Sequence, residues 1–150
     1  MSIYDEHMLN FITESNRIEG IHRKPTEFEI EEYKRFMNLK QVTIADLEQF
    51  VSVYQPGNRL RDMVGLDVRV GNYYPPKGKP EIRNELQAIL DDLGVLTSYQ
   101  THCRYETLHP FTDCNGRSGR MLWLWQMKYA PLGFLHTWYY QSLDALQSRK

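Results

Sequence analysis

The sequence predicts an all-α domain with a short β-hairpin flap. Three observations carry that expectation. Apolar residues recur at three- and four-residue spacing through most of the chain, helix-start and helix-stop residues bracket those segments, and only the stretch 66–74 alternates with a period of two. A chain of 150 residues supplies one hydrophobic core, so 1–150 is read as a single domain without internal repeat or linker.

The first helix is expected over 3–19, with Ile3, Met8, Phe11, Ile12 and Ser15 on one stripe and Gly20 as a left-handed stop. Pro25 and Thr26-Glu27-Phe28-Glu29 open the second through a capping box, and Ile30, Tyr33, Phe36 and Met37 form its apolar face. Thr43 caps the third, in which Ile44, Leu47, Phe50, Val51 and Tyr54 face inward until Gln55-Pro56-Gly57 ends it. Pro80 suits a first helical position, ahead of Ile82, Leu86, Ile89, Leu90 and Leu93. A fifth helix is expected over 97–108. A sixth starts near Asn115 and runs through Met121-Leu122-Trp123-Leu124-Trp125, apolar on every side as a buried central helix is. Thr137 caps a last one, with Tyr139, Leu143 and Leu146 inward.

Leu66-Asp67-Val68-Arg69-Val70 alternates, Gly71-Asn72 turns, and Tyr73-Tyr74 returns before Pro75-Pro76, which reads as a hairpin with a blunted end.

Composition narrows the function classes. The chain is 41% hydrophobic and 25% charged, which excludes disorder and fibrous architectures. Lys and Arg total 18 against 19 Asp and Glu, so the electrostatic footprint of a nucleic-acid binder is missing. Two cysteines, Cys103 and Cys114, make no disulfide scaffold. The N-terminus has no basic and apolar leader, and the richest apolar run, 121–125, is far shorter than the ~20 residues that span a bilayer. The expectation is a cytoplasmic protein with neither a membrane nor a nucleic-acid partner; homo-oligomerisation is left open.

Residues 109–120, His-Pro-Phe-Thr-Asp-Cys-Asn-Gly-Arg-Ser-Gly-Arg, concentrate the chemistry. Pro110 drives His109 out of the right-handed helical region, so His109 is expected to sit extended at a helix exit. Asp113 or Asn115 caps the next helix, whose first amides form an anion site. Arg117 and Arg120 share a face in its first turns, where the helix dipole disfavours positive charge by roughly 0.3–1 kcal/mol each. Two arginines placed against the dipole beside unsatisfied amides describe a pocket for a polyanion. Asp113 suits an Mg²⁺ that bridges phosphates, and His109 suits a general base. A zinc site of His102, Cys103, His109 and Cys114 fails on spacing, because adjacent His102 and Cys103 do not give a tetrahedral pattern.

The segment resembles the Fic signature, His-x-Phe-x-Asp/Glu-Gly/Ala-Asn-Gly-Arg-x-x-Arg, at His109, Phe111, Asp113, Asn115, Gly116, Arg117 and Arg120. The resemblance implies an all-α enzyme that transfers AMP from ATP to a Tyr, Thr or Ser hydroxyl of a target protein. His109 would be the base and Phe111 the anchor of the loop. Asp113 would hold Mg²⁺ on the α- and β-phosphates, and Cys114, Asn115, Gly116, Arg117, Gly119 and Arg120 would form the nucleotide site. Arg117 would take the β-phosphate and Arg120 the γ-phosphate. The flap, about 66–76, would dock a target segment through Val68, Arg69, Val70, Gly71, Asn72 and Tyr73. Cys114 departs from the usual Gly or Ala, and its Cβ and Sγ are expected to crowd the α-phosphate.

Ser15-Asn16-Arg17-Ile18-Glu19-Gly20 resembles the inhibitory Ser/Thr-x-x-x-Glu-Gly/Asn helix of many Fic proteins. Glu19 is an anion at the disfavoured end of its helix dipole, a natural partner for a misplaced cation. Residues 2–20 would then be an inhibitory helix and 21–150 the core. Ser15 and Glu19 would be that helix's regulatory residues, and Glu19 would bind Arg120 and deny it to the γ-phosphate. In some relatives the same glutamate also assists removal of AMP. The alternatives are a nucleotide-binding interaction module with weak transfer because of Cys114, or a relative using another nucleotide donor.

Overall fold

The computed structural model describes residues 3–127, which form α1 (Ile3–Ile18), α2 (Glu27–Met37), α3 (Ile44–Tyr54), α4 (Glu81–Asp91), α5 (Ser98–Leu108) and α6 (Asn115–Met127). The expected last helix after Thr137 lies outside the described residues. Capping boxes start α2 at Thr26 and Glu29, α3 at Thr43 and Asp46, and α5 at Thr97 and Gln100. Each satisfies two backbone donors that the first helical turn leaves open. Pro80 takes the cap position of α4 rather than the first helical one.

α1 ends in a Schellman turn. Ile21 N–H donates to Asn16 C=O and Gly20 N–H to Arg17 C=O, with Gly20 at φ +78°. This turn sets the direction in which Glu19 leaves the helix.

α6 is the central element, with Met121, Leu122, Trp123 and Leu124 all buried. α1, α2, α3 and α5 pack around it, and α4 backs α5. The predicted stripe of α1 is buried at Met8, Phe11, Ile12 and Ser15, and Phe11 stacks on Trp123 with ring centroids 6.2 Å apart. Tyr33, Phe36 and Phe50 join α2 to α3 through edge-on ring contacts. Buried side chains of this size each stabilise the fold by roughly 1.5–3 kcal/mol.

The 66–76 segment corrects the hairpin expectation. Gly71-Asn72 does turn, and Val70 and Tyr73 exchange both backbone hydrogen bonds, at 2.9 and 2.8 Å, but this pair is an isolated bridge and no ladder follows. The flanks are committed elsewhere. Leu66 and Pro76 carbonyls accept from Arg61, Asp67 Oδ1 accepts from Gly78 N–H, and Pro75 and Pro76 have no amide to donate. The alternation of 66–70 therefore belongs to an irregular loop. Its Tyr73 hydroxyl donates to Thr107 C=O on α5 at 2.7 Å, which fastens the turn beside His109.

Candidate active site

The loop from α5 to α6 is assembled by side chains that clamp its backbone. His109 caps α5 at φ 51°, ψ 64°, left-handed rather than extended. Pro110 bars only the right-handed region, and the left-handed turn lets His109 N–H close on Tyr105 C=O at 2.9 Å. The imidazole Nδ1 lies 3.0 Å from Glu106 C=O, so the neutral ring carries its proton there and its lone pair on Nε2.

Phe111 is buried and bridges to Leu60. Asn115 does not cap α6. Its Oδ1 accepts from Phe111 N–H and its Nδ2 donates to Phe111 C=O, both at 2.8 Å, folding the loop back on the helix start. The residue ahead of α6 is Cys114, itself left-handed at φ +65°. Its amide is held by Asp113 Oδ1 at 2.7 Å and its carbonyl accepts from Ser118 N–H at 3.0 Å. That is the first bond of the helix, so the amides of Asn115, Gly116 and Arg117 precede it without intrahelical acceptors. A left-handed residue here explains why glycine suits the position. Cys114 is buried within the core cluster, and burial pushes its thiol up to about 12.

Arg120 is fully buried although it lies on the second turn of α6. Its Nε donates to Ser15 Oγ at 2.7 Å, and its Nη2 donates to Ser15 C=O at 3.1 Å and to Glu19 Oε2 at 2.6 Å. Glu19 therefore pairs with Arg120, and Ser15 adds two hydrogen bonds to the same guanidinium. Gly116 makes room for this pair: a Cβ there would lie 2.8 Å from Glu19 Oε2 and 3.1 Å from Arg120 Nη1. Gly119 has another task. A Cβ on it would lie 2.7 Å from Glu106 Oε1 and 3.0 Å from the Tyr105 ring, so it lets α6 approach α5 and does not face the loop.

Arg117 is buried with its guanidinium carbon 4.3 Å from the centre of the Tyr54 ring. Among the described residues no carboxylate pairs with it, and its Nε has no hydrogen-bond partner. A buried cation without a counterion is costly unless an anion joins it. Asp113 is exposed and spends Oδ1 on the Cys114 amide. Among the described residues no cluster of three His, Cys, Asp or Glu side chains could hold a metal ion. One carboxylate does fit Mg²⁺, which keeps several waters and takes its remaining ligands from phosphates.

Four contributors have no local signature. Asn58 Oδ1 accepts from Thr112 Oγ1 at 2.7 Å and from Asp113 N–H at 3.1 Å. Arg61, fully buried, donates to the carbonyls of His109, Leu108, Leu66 and Pro76 at 2.6 to 3.1 Å. Tyr54 offers its ring to Arg117 and its hydroxyl to Glu29, and Glu106 lies buried behind His109. Asn58, Arg61 and Glu106 belong to no chemical motif in the sequence, and Tyr54 reads there as part of an apolar face.

The end of α1 is also anchored away from Arg120. Asn16 Nδ2 donates to Glu29 Oε2 at 2.7 Å, and Glu29 further accepts from Tyr54 Oη at 2.8 Å, from Thr26 N–H at 2.9 Å and from Arg23. Burial works to raise the Glu29 pKa, but these donors prevail and hold it at about 2.

The described residues form an all-α domain with an amide-lined helix start, the buried Arg117 and Arg120 on that helix, and a histidine at the loop's entry. The Fic/DOC family model matches residues 15–127, well over half of the chain, and the chain belongs to the Fic/DOC family. Proteins of this family typically transfer nucleotide-linked groups to proteins. No curated protein matches the chain. Among the described residues no helix is long and apolar enough to cross a membrane.

Proposed function

We propose that this protein is a self-inhibited protein adenylyltransferase, which moves AMP from Mg²⁺-bound ATP to a hydroxyl side chain of a target protein. The observation that carries the reading is the burial of Arg120 between Ser15 and Glu19, because Glu19 stands where a terminal phosphate would meet that guanidinium.

The chemistry follows from the loop. The amides of Asn115, Gly116 and Arg117 would receive phosphate oxygens at the positive end of α6. Arg117, with its unpaired Nε, would take the β-phosphate and Arg120 the γ-phosphate. Asp113 would hold Mg²⁺, whose charge offsets that of the phosphates when bound. His109 Nε2 removes the proton of the target hydroxyl. The hydroxyl oxygen forms a bond to the α-phosphorus, the bond from that phosphorus to the β-bridging oxygen breaks, and pyrophosphate leaves with the electron pair. The turn at Val70–Tyr73, tied to α5 through Tyr73, would present the target segment to the base. While Glu19 occupies Arg120, the triphosphate cannot take its productive pose.

The test uses labelled ATP with Mg²⁺ and the Glu19→Gly protein, alone and in lysate. Transfer is expected in Glu19→Gly and is expected to fall at least ~100-fold when His109→Ala is added, the lower range for losing a general base. Undiminished transfer in the double variant overturns the assignment of His109. Binding of ATP with no transfer in Glu19→Gly overturns the assignment of an enzyme, and labelling by UTP but not ATP overturns that of the donor.

A further inference from the structure

Directly behind His109 lies a buried acid that the scheme above does not use. Glu106 sits one turn before His109 on α5 and is only 8% exposed. Its main-chain oxygen accepts a hydrogen bond from Nδ1–H at 3.0 Å, and its carboxyl oxygen Oε2 lies 4.0 Å from the same nitrogen. Oε1 has no hydrogen-bond partner among the described residues. Gly119 on α6 is the reason the acid fits, since a Cβ there would lie 2.7 Å from Oε1. A glutamate buried against a helix crossing is costly, and an apolar side chain of the same size would pack there without that penalty.

We infer that Glu106 is a positioning residue for His109, fixing its tautomer through the backbone and supplying through its carboxyl the countercharge for the imidazolium that forms when Nε2 takes up the hydroxyl proton. The inference rests on the reading of His109 as the base. Opposite charge within ~4–6 Å favours a protonated imidazole, and burial makes the effect larger than on a surface.

The groups that face the carboxyl set its pH range. From α5 these are His109 and His102, whose Nε2 lies 3.9 Å from Oε1; from α6, Arg120; and from the end of α1, Glu19. Burial raises Glu106 to about 8, with Arg120 opposing and Glu19 adding to the rise. Burial, and then Arg120, lowers His102 to about 3, so His102 is neutral and adds no charge beside Glu106 near neutral pH. The carboxyl is therefore largely neutral at pH 6.5 and largely ionised by pH 9, so its support of the imidazolium grows over that interval.

The experiment compares wild type with Glu106→Gln, which keeps the shape and the main-chain carbonyl and removes only the ionisable group. NMR titration of the His109 imidazole in the unliganded protein is expected to show a step between about pH 7 and 9 in wild type, as the carboxyl ionises beside the ring, and no such step in the variant. In the Glu19→Gly background, Glu106→Gln is expected to lower kcat about tenfold at pH 9 and less at pH 6.5, with KM for ATP unchanged. If Glu106→Gln does not fold, Glu106→Asp, which draws the carboxyl back by one methylene, is expected to keep that step with a smaller amplitude. An unchanged His109 titration in the folded variant overturns the inference, whatever the transfer assay gives. Loss of that step in a protein that transfers nothing leaves the inference standing and removes the proposed activity instead.

Discussion

Glu19 and Arg120 meet at 2.6 Å across a sequence separation of 101 residues, each on the end of its helix that the backbone dipole disfavours for its charge. Arg120 is fully enclosed while Glu19 keeps about a third of its side-chain surface exposed. The pair can open from the Glu19 side without unpacking α6, because Ser15 continues to hold Arg120 from below.

That asymmetry makes Ser15 a stability residue as well as a contact of Arg120. Ser15→Ala removes one hydrogen bond to a buried charge and is expected to lower stability by roughly 1.5–3 kcal/mol. Chemical denaturation checks this; a change below 0.5 kcal/mol would show that the Arg120–Ser15 Oγ bond contributes nothing net.

Arg61 holds the loop from behind. Arg61→Ala would leave the carbonyls of Leu108, His109, Leu66 and Pro76 without their shared donor, and is expected to destabilise the fold by about 3 kcal/mol or more. Thermal unfolding measures it. Arg61→Lys should recover little, since one ammonium cannot span four acceptors spread around a planar fork.

Glu29 links α1, α2 and α3, and its depressed pKa gives an acid dependence with a definite sign. A carboxylate held at about 2, against 4.5 when unperturbed, stabilises the folded state at every pH above 4.5. That contribution, roughly 3 kcal/mol, is lost as pH falls from 4.5 towards 2. Urea unfolding of Glu29→Gln should therefore show a flatter profile than wild type over this window. Parallel profiles would contradict the assignment.

The two thiols should differ in reactivity. Cys114 is buried with its thiol pushed up to about 12, whereas Cys103 is partly exposed. Native protein at pH 8 should take one equivalent of iodoacetamide at Cys103, and Cys114 should react only after denaturation. Peptide mass mapping reads both sites.

The helices were legible because their ends carry their own chemistry. Thr26 and Glu29 announce α2 within four residues, and Gly20 marks the turn that aims Glu19. The charges misplaced against the dipoles, Glu19 and Arg120, pointed to each other for the same local reason. Residues whose roles are set by distant backbone stayed hidden: Arg61 serves carbonyls 5 to 48 residues away, and nothing in its neighbours marks it. The hairpin failed on the same ground, since period-two alternation describes side chains and cannot show that Arg61 claims the Leu66 carbonyl. His109 was misread because a proline excludes one backbone region without choosing between the other two.

The central claim is that Glu19 withholds Arg120 from a nucleoside triphosphate. Intact-mass spectrometry of wild-type and Glu19→Gly protein, each incubated with ATP and Mg²⁺, tests it most directly. The account predicts a gain of one AMP on Glu19→Gly, or on an added target protein, with little or none in wild type. No more AMP with Glu19→Gly than with wild type, on the protein itself or on the added target, would contradict it.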